Sequence, residues 1–487
     1  MINDLWYKNA IVYCLDVGTF MDANGDGIGD FEGLMRRLDY LAGLGVTCLW
    51  LMPFQKSPRR DDGYDIADYY QVDERFGTLG DFVDFTHEAD QRGIRVMIDL
   101  VVNHTSDQHP WFQAARRDRH SKYRDYYLWS ERKPKDAEQG MVFPGVQKTT
   151  WTRDAVAGQY YFHRFYKFQP DLNTHNPEVQ EEIRKIMGFY LQLGVSGFRM
   201  DAMPFVIERK GASTRHTEHY AMLREFREFL QWRRGEAIIL AEANVEPALS
   251  IDYFGDDGDR LHMMFNFWVN QRVFYGLATS DARPLKRALE QTRARPPTGQ
   301  WAHFLRNHDE LDLGRLDPEQ RQRVFDAMGP EPRMQLYDRG IRRRIAPMLD
   351  GDRRRIELAY SLLFTLPGTP VIRYGDELGM GDDLRLPERN CARTPMQWSS
   401  EPNAGFTKSE KPILPVIDEG PFGYDHVNAA AQRRDPNSML NWTERIIRMR
   451  KEVPEIGWGD FVVLKTGTPA VLAMRYDWRM NSVLFVH

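Results

Sequence analysis

The chain has 487 residues, 42% hydrophobic and 28% charged, a composition that excludes a disordered polypeptide and is too long for one ordinary core. Its 65 basic and 70 acidic residues leave a net charge of -5 with no long run of either sign. That excludes the basic footprint a nucleic acid or an anionic membrane surface requires and points to a small neutral partner.

Cys14, Cys48 and Cys391 are too few and too far apart for a disulfide framework, so a cytoplasmic protein is expected. The opening residues lack the basic-then-apolar pattern of a secretory signal. The richest apolar run, 358–372, is broken by Pro367, Gly368 and Pro370 and falls short of the roughly 20 residues that cross a bilayer.

In chain order, eight short apolar or β-branched runs predict strands: Ala10 to Val17, Val46 to Pro53, Ile94 to Val101, Ser196 to Ala202, Ala237 to Ala243, Met263 to Phe267, Trp301 to Asn307 and Thr369 to Glu377. Helix-period segments lie between them, among them Phe31 to Leu44, Leu79 to Arg92, Pro177 to Leu193 and Arg353 to Leu366. Alternation of this kind predicts an α/β fold, a closed parallel (β/α)₈ barrel, formed by residues 1–105 and 171–452. Residues 106–170 have many charges, three tryptophans and little periodicity, and read as an inserted subdomain after the third strand. Residues 311–351, after the seventh strand, carry too many apolar residues for a linker and read as a lid. After a helix at Ser438 to Lys451, strand-like runs at Phe461 to Leu464, Ala470 to Tyr476 and Ser482 to Val486 make 453–487 the start of a C-terminal β domain, one that reads as truncated at His487.

Asp99, Asn103, His104, Asp201, Glu242, His308 and Asp309 fall at or just beyond the C-terminal ends of these strands, the face where barrel enzymes place their sites. One polar residue at a strand end is commonly a cap or turn former; seven on one rim are not. Retaining cleavage of a glycosidic bond needs a nucleophilic carboxylate and a carboxyl proton donor about 5 Å apart. The strings Asp99–His104, Gly197–Ala202, Ile239–Asn244 and Leu305–Glu310 supply such groups.

Together these four strings resemble, in order and placement, the signature regions of glycoside hydrolase family 13, the α-amylase family. The resemblance implies Asp201 as nucleophile, Glu242 as acid/base and Asp309 as a ligand of ring hydroxyls. Arg199, two residues before Asp201 and so on the same strand face, would hold the nucleophile ionised, and His104 and His308 would donate to sugar hydroxyls. The string Asp61–Ile66 resembles the pocket-closing segment of the α-glucosidase-like branch, which implies an Asp61–Arg389 pair and a sugar platform at Tyr64. Ala202 after the nucleophile resembles members that act on α-1,4 bonds.

The spacing of Asp22, Asn24, Asp26, Ile28 and Asp30, with glycines at 25 and 27, sets alternate oxygens about one point as Ca²⁺ requires. Taken alone the string equally describes an Asx-rich turn, but members of the family hold Ca²⁺ there. Strings 59–69, 103–112 and 337–344 bring the resemblance closest to the trehalose synthase branch, which isomerises maltose to trehalose, over nearly the whole chain. That branch implies a second structural Ca²⁺ on Asn103, Asp171 and Glu208 side chains and the Phe205 and Val206 carbonyls. No organic cofactor is expected. The substrates implied are maltose, trehalose and short maltooligosaccharides, and a homo-oligomer is left open. Departures at 13–16, 142–151 and 312–314 keep an α-glucosidase, an amylase-type hydrolase or a transglucosylase as the alternative. A non-catalytic transporter subunit of the same fold is disfavoured, because the carboxylates are complete and no membrane helix is present.

Overall fold

The computed structural model describes residues 3–210 and 218–487. Its centre is a closed barrel of eight parallel strands: β1 (Val12–Leu15), β2 (Cys48–Leu51), β3 (Arg95–Leu100), β4 (Gly197–Met200), β5 (Ile238–Ala241), β6 (Met263–Phe265), β7 (Gln300–Phe304) and β8 (Thr369–Arg373). Each lies within or over one of the runs the sequence predicts, and neighbours in space follow chain order until β8 pairs with β1 through Val12↔Val371. Helices pack outside and side chains fill the inside, so strands covered on both faces read as unbroken apolar runs, such as the fully buried Cys48-Leu49-Trp50-Leu51.

Capping fixes where the outer helices start. Thr78 and Asp81 form a reciprocal capping box at Leu79–Gln91, Asn176 caps Pro177–Gln192 with proline in its first turn, and Asp352 caps Arg353–Thr365. The predicted helix over 31–44 is in fact two, Phe31–Arg36 and Leu38–Leu44. At the break, the Arg37 amide reaches both the Leu34 and Met35 carbonyls, and its guanidinium lies 4.1 Å from the Trp398 ring centroid.

The excursion after β3 contains helix Pro110–Arg117 and a three-stranded antiparallel sheet of Trp129–Ser130, Tyr160–Phe162 and Trp151–Arg153. Its ends are drawn together by the His104↔Asp171 bridge and by the Thr105 amide on Pro170 O at 3.1 Å. After β7, helix Pro318–Met328 and a small sheet of Leu311–Asp312, Gly340–Ile341 and Gln335–Leu336 form a folded insertion. The basic run it ends on is structural. Arg342 donates to Leu384 O and Leu386 O, and buried Arg344 donates to Tyr374 O. At the other end of the barrel, β9 (Asp460–Leu464), β10 (Ala473–Trp478) and β11 (Asn481–Val486) form a separate antiparallel sheet in that order. Among the described residues no helix is long and apolar enough to cross a membrane.

Candidate active site

Arg199, the third residue of β4, is fully buried at the top of the barrel. Its Nη1 lies 2.6 Å from Asp99 Oδ1 and 2.6 Å from Asp201 Oδ1, while Nη2 lies 2.9 Å from Glu242 Oε2. One rigid guanidinium therefore forks the carboxyls of β4 and β5 towards the same space. Asp99 completes the floor by accepting from Trp50 Nε1 at 2.8 Å and Tyr64 Oη at 3.2 Å. Ala202, directly after Asp201, has φ 48°, in the left-handed region where a residue with a Cβ carries strain. The turn aims its amide at Glu242 Oε2, 3.2 Å away.

Asp309 stands at the end of β7. Arg389 Nη1 reaches its Oδ1 at 2.5 Å and Arg389 Nη2 reaches Asp61 Oδ1 at 2.7 Å, so a single arginine bridges the loop after β2 to the end of β7. Arg393 adds a contact to Asp309 Oδ1 at 3.3 Å and another to Asp62 Oδ2 at 3.2 Å. His308 Nε2 lies 3.2 Å from Asp309 Oδ2, and the Tyr64 ring stacks on His308 at 5.1 Å and 11°. Asp61, Asp201, Glu242 and Asp309 line one cavity of about 550 Å³ that is walled on other sides by the inserted subdomain and the insertion after β7.

Burial pushes the Asp201 carboxyl up to about 6 despite Arg199. Burial pushes Glu242 further, to about 7, with the negative charges of Asp201 and Asp309 adding to the rise against the pull of Arg199. Of the two side chains Glu242 is the more open to the cavity, 22% exposed against 11%. The pair is thus set with one carboxylate ionised and one carboxyl protonated between those values, the division that acid–base work on an acetal needs. Asp309 is held well below the ordinary carboxylate range: burial opposes ionisation, but contacts with His308, Arg389 and Arg393 outweigh it.

The structure brings Asp201, Glu242, Asp309, Asp61, Tyr64, His104, Arg199, His308 and Arg389 to this one place. Two of them already have partners within the protein. His104 lines the cavity, with its Nε2 on Tyr64 O at 2.8 Å and its Nδ1 facing the Asn103 amide. One face of Tyr64 is covered by His308. Asp99, Trp50 and Arg393 went unassigned in the sequence. A charged residue inside an apolar strand and a second arginine four positions after Arg389 were the available signals.

The two proposed cation loops differ. In the first, Asp22 accepts from the Gly25 and Gly27 amides, Asn24 from Asp26, Asp26 from Ile28, and Asp30 from Ala23 and Gly33. Asp22 Oδ1, Asn24 Oδ1, Asp26 Oδ1 and Asp30 Oδ1 each accept one bond and keep a lone pair, while Asp22 Oδ2 also takes Thr407 Oγ1 and Asp30 Oδ2 also takes the Asn24 amide; the donor set fits a hard cation in kind and in loop order. Its acids are not yet gathered, since among the described residues no three His, Cys, Asp or Glu side chains form a metal-holding group. The second set does not fit. Lys210 Nζ sits 3.1 Å from Asp171 Oδ2, and Glu208 is ion-paired with Arg164.

This geometry defines a class of molecule, a (β/α)₈ barrel arranged for acid–base chemistry on a small polar ligand at its C-terminal rim. The α-amylase catalytic-domain family matches residues 17–325 and 339–459. The chain is 46% identical to a trehalose synthase of Thermus thermophilus across all of its own length, and it spans about half (50%) of that relative. It is 44% identical to the trehalose synthase/amylase TreS of Mycolicibacterium smegmatis, covering 96% of this chain and 80% of that one. Among solved structures, an inactive double mutant of MutB in complex with isomaltulose matches with a TM-score of 0.79 at 29% identity, covering 99% of this chain and 90% of that one. The trehalose-6-phosphate hydrolase TreA of Bacillus licheniformis matches with a TM-score of 0.80 at 28% identity, with the same coverage. The chain belongs to the α-amylase family.

Proposed function

We propose that the protein isomerises maltose to trehalose within one closed pocket, through a covalent glucosyl ester on Asp201. The observation that carries this reading is the sharing of Arg199 by Asp201 and Glu242 above a cavity whose far end is shut by the Asp61–Arg389–Asp309 bridge. A blocked end admits one glucosyl unit and favours short substrates.

In the first step an Asp201 oxygen bonds to the anomeric carbon while the glycosidic bond breaks, and Glu242 gives its proton to the leaving oxygen. The freed glucose stays in the cavity and turns. In the second step its anomeric hydroxyl attacks the same carbon, the ester bond to Asp201 breaks, and Glu242 takes the hydroxyl proton back. Asp309 and His308 bind ring hydroxyls throughout, and the insertion after β7 together with the inserted subdomain keeps water out.

Incubating the protein with maltose and separating the products is expected to give trehalose as the main product with some glucose. Glucose without trehalose would replace this reading with hydrolysis of short α-1,4-glucosides. That second reading is favoured by the name of the Mycolicibacterium smegmatis relative, which joins an amylase to the synthase.

The first loop is proposed as a structural Ca²⁺ site held by Asp22, Asn24, Asp26, Asp30 and the Ile28 carbonyl. A bound ion would neutralise acids that sit beside the start of helix Phe31–Arg36. Chelation should lower the thermal midpoint, and Ca²⁺ should restore it; a midpoint indifferent to both would remove the site.

A further inference from the structure

The Lys210 side chain is 1% exposed and that of Asp171 is fully buried. A lysine is almost never buried to this extent without a specific partner. Its Nζ donates to Asn103 O at 2.8 Å and lies 3.1 Å from Asp171 Oδ2, in the middle of the donor set that the family resemblance assigns to a second divalent ion.

Most of that donor set is already engaged by hydrogen donors. Asp171 Oδ1 accepts from the Arg164 amide at 2.7 Å, and Asp171 Oδ2 accepts from Asn103 Nδ2 at 3.2 Å as well as facing the ammonium. Val206 O accepts from Thr174 Oγ1 at 2.6 Å, and Glu208 accepts from the Arg164 guanidinium. Among the side-chain oxygens of this set, Asn103 Oδ1 is buried without a hydrogen-bond partner. Asp171 Oδ1 and Val206 O each keep a lone pair, as most oxygens of the first loop do, so what excludes a Ca²⁺ is the ammonium already seated between Asn103 O and Asp171 Oδ2. The charges also balance as they stand, with Asp171 and Glu208 against Lys210 and Arg164. A divalent ion would enter beside two fixed cations.

We propose that Lys210 is a built-in substitute for the second cation, so that its ammonium, and no divalent ion, ties the returning end of the inserted subdomain to the barrel rim. The tie is placed where it matters. Asp171 is one member of the His104↔Asp171 bridge and Asn103 directly precedes the other, and His104 in turn holds the Tyr64 carbonyl at the pocket wall. Lys210 is therefore a positioning residue, two bonds of contact away from the sugar site. The inference does not depend on which reaction the pocket performs.

The test is metal content, read independently of activity. The Asp26→Ala variant disables the first loop at an exposed position. After equilibration with Ca²⁺ and gel filtration, this protein is expected to carry no Ca²⁺. One Ca²⁺ per chain in Asp26→Ala that is lost on adding Asp171→Asn would overturn the proposal. Adding Lys210→Ala to Asp26→Ala removes the ammonium and leaves Asp171 without its cation. That double variant should have a lowered thermal midpoint that rises again with millimolar Ca²⁺, and should bind one Ca²⁺ per chain. Lys210→Gln serves where alanine is too disruptive. A Lys210 variant that keeps the parent midpoint in chelator and takes up no Ca²⁺ would also overturn the proposal.

Discussion

Arg199 is the common partner of three acids at the site. Its guanidinium lies against Asp99, Asp201 and Glu242 at once, so each carboxyl feels the same positive charge. What separates them is desolvation and their mutual repulsion, which leave Asp201 near 6 and Glu242 near 7. The sign of the pH dependence follows. In the proposed reaction Asp201 acts ionised, so kcat/KM rises as pH climbs through about 6, and Glu242 acts protonated, so kcat/KM falls as pH climbs through about 7. A narrow bell between those limbs is expected when initial rates on maltose are followed across pH. A profile flat from pH 5 to 9 would reject this pairing of roles. Asp201→Ala should lower turnover by at least about 10⁴-fold, on the scale seen when a covalent nucleophile is lost.

The elements that close the pocket come from four excursions, those after β2, β3, β7 and β8. Arg339, from the insertion after β7, lies 3.7 Å from Glu310 and 3.6 Å from Asp312 on its own side, and donates to Val142 O of the inserted subdomain at 3.0 Å. Beside it Phe143 packs on Tyr166 and Tyr337 at 4.7 Å and 4.9 Å. Arg339 thus spans the mouth of the cavity far from Asp201's own partners, and its loss should loosen the closure while leaving the carboxyl pair intact. Arg339→Ala is expected to raise the proportion of glucose among the products of maltose several-fold, with total maltose consumption changed less than the product ratio. An unchanged trehalose-to-glucose ratio would show that water is excluded by something else. These closures were the least legible part of the chain. Residues 142–151 have no period to read, and the pairing of Val142 with Arg339 joins positions nearly two hundred residues apart.

At the scale of the whole molecule, the barrel was legible because each strand is buried on both faces and announces itself as a short apolar run ended by polar residues, as at Gly197-Phe198-Arg199-Met200-Asp201. The rim of polar residues was legible for the same reason, since parallel strands place all their C-terminal ends together, and the family resemblance singled the carboxyl trio out of it. The engagement of His104 with a backbone carbonyl and the insertion of Lys210 between Asn103 and Asp171 were not legible, because both depend on how a long excursion returns to its starting point. The C-terminal sheet poses a remaining question of unity. It meets the opposite end of the barrel from the site: Tyr476 Oη donates to Thr365 O at 2.5 Å, and the Ala282 amide donates to Pro469 O at 2.9 Å. Buried polar ties of this kind make the sheet part of the barrel's cooperative unit and not an appended flap. Tyr476→Phe removes one donor and leaves the Thr365 carbonyl short of a partner, a loss of about 1–3 kcal/mol. In a chain this long that lowers the thermal midpoint by only about 1–4 °C. The informative readout is the shape of the calorimetric transition: one peak that moves as a whole, with the rate on maltose unchanged below it, is expected. A separate low-temperature peak would mean that the sheet melts on its own and lends the barrel nothing.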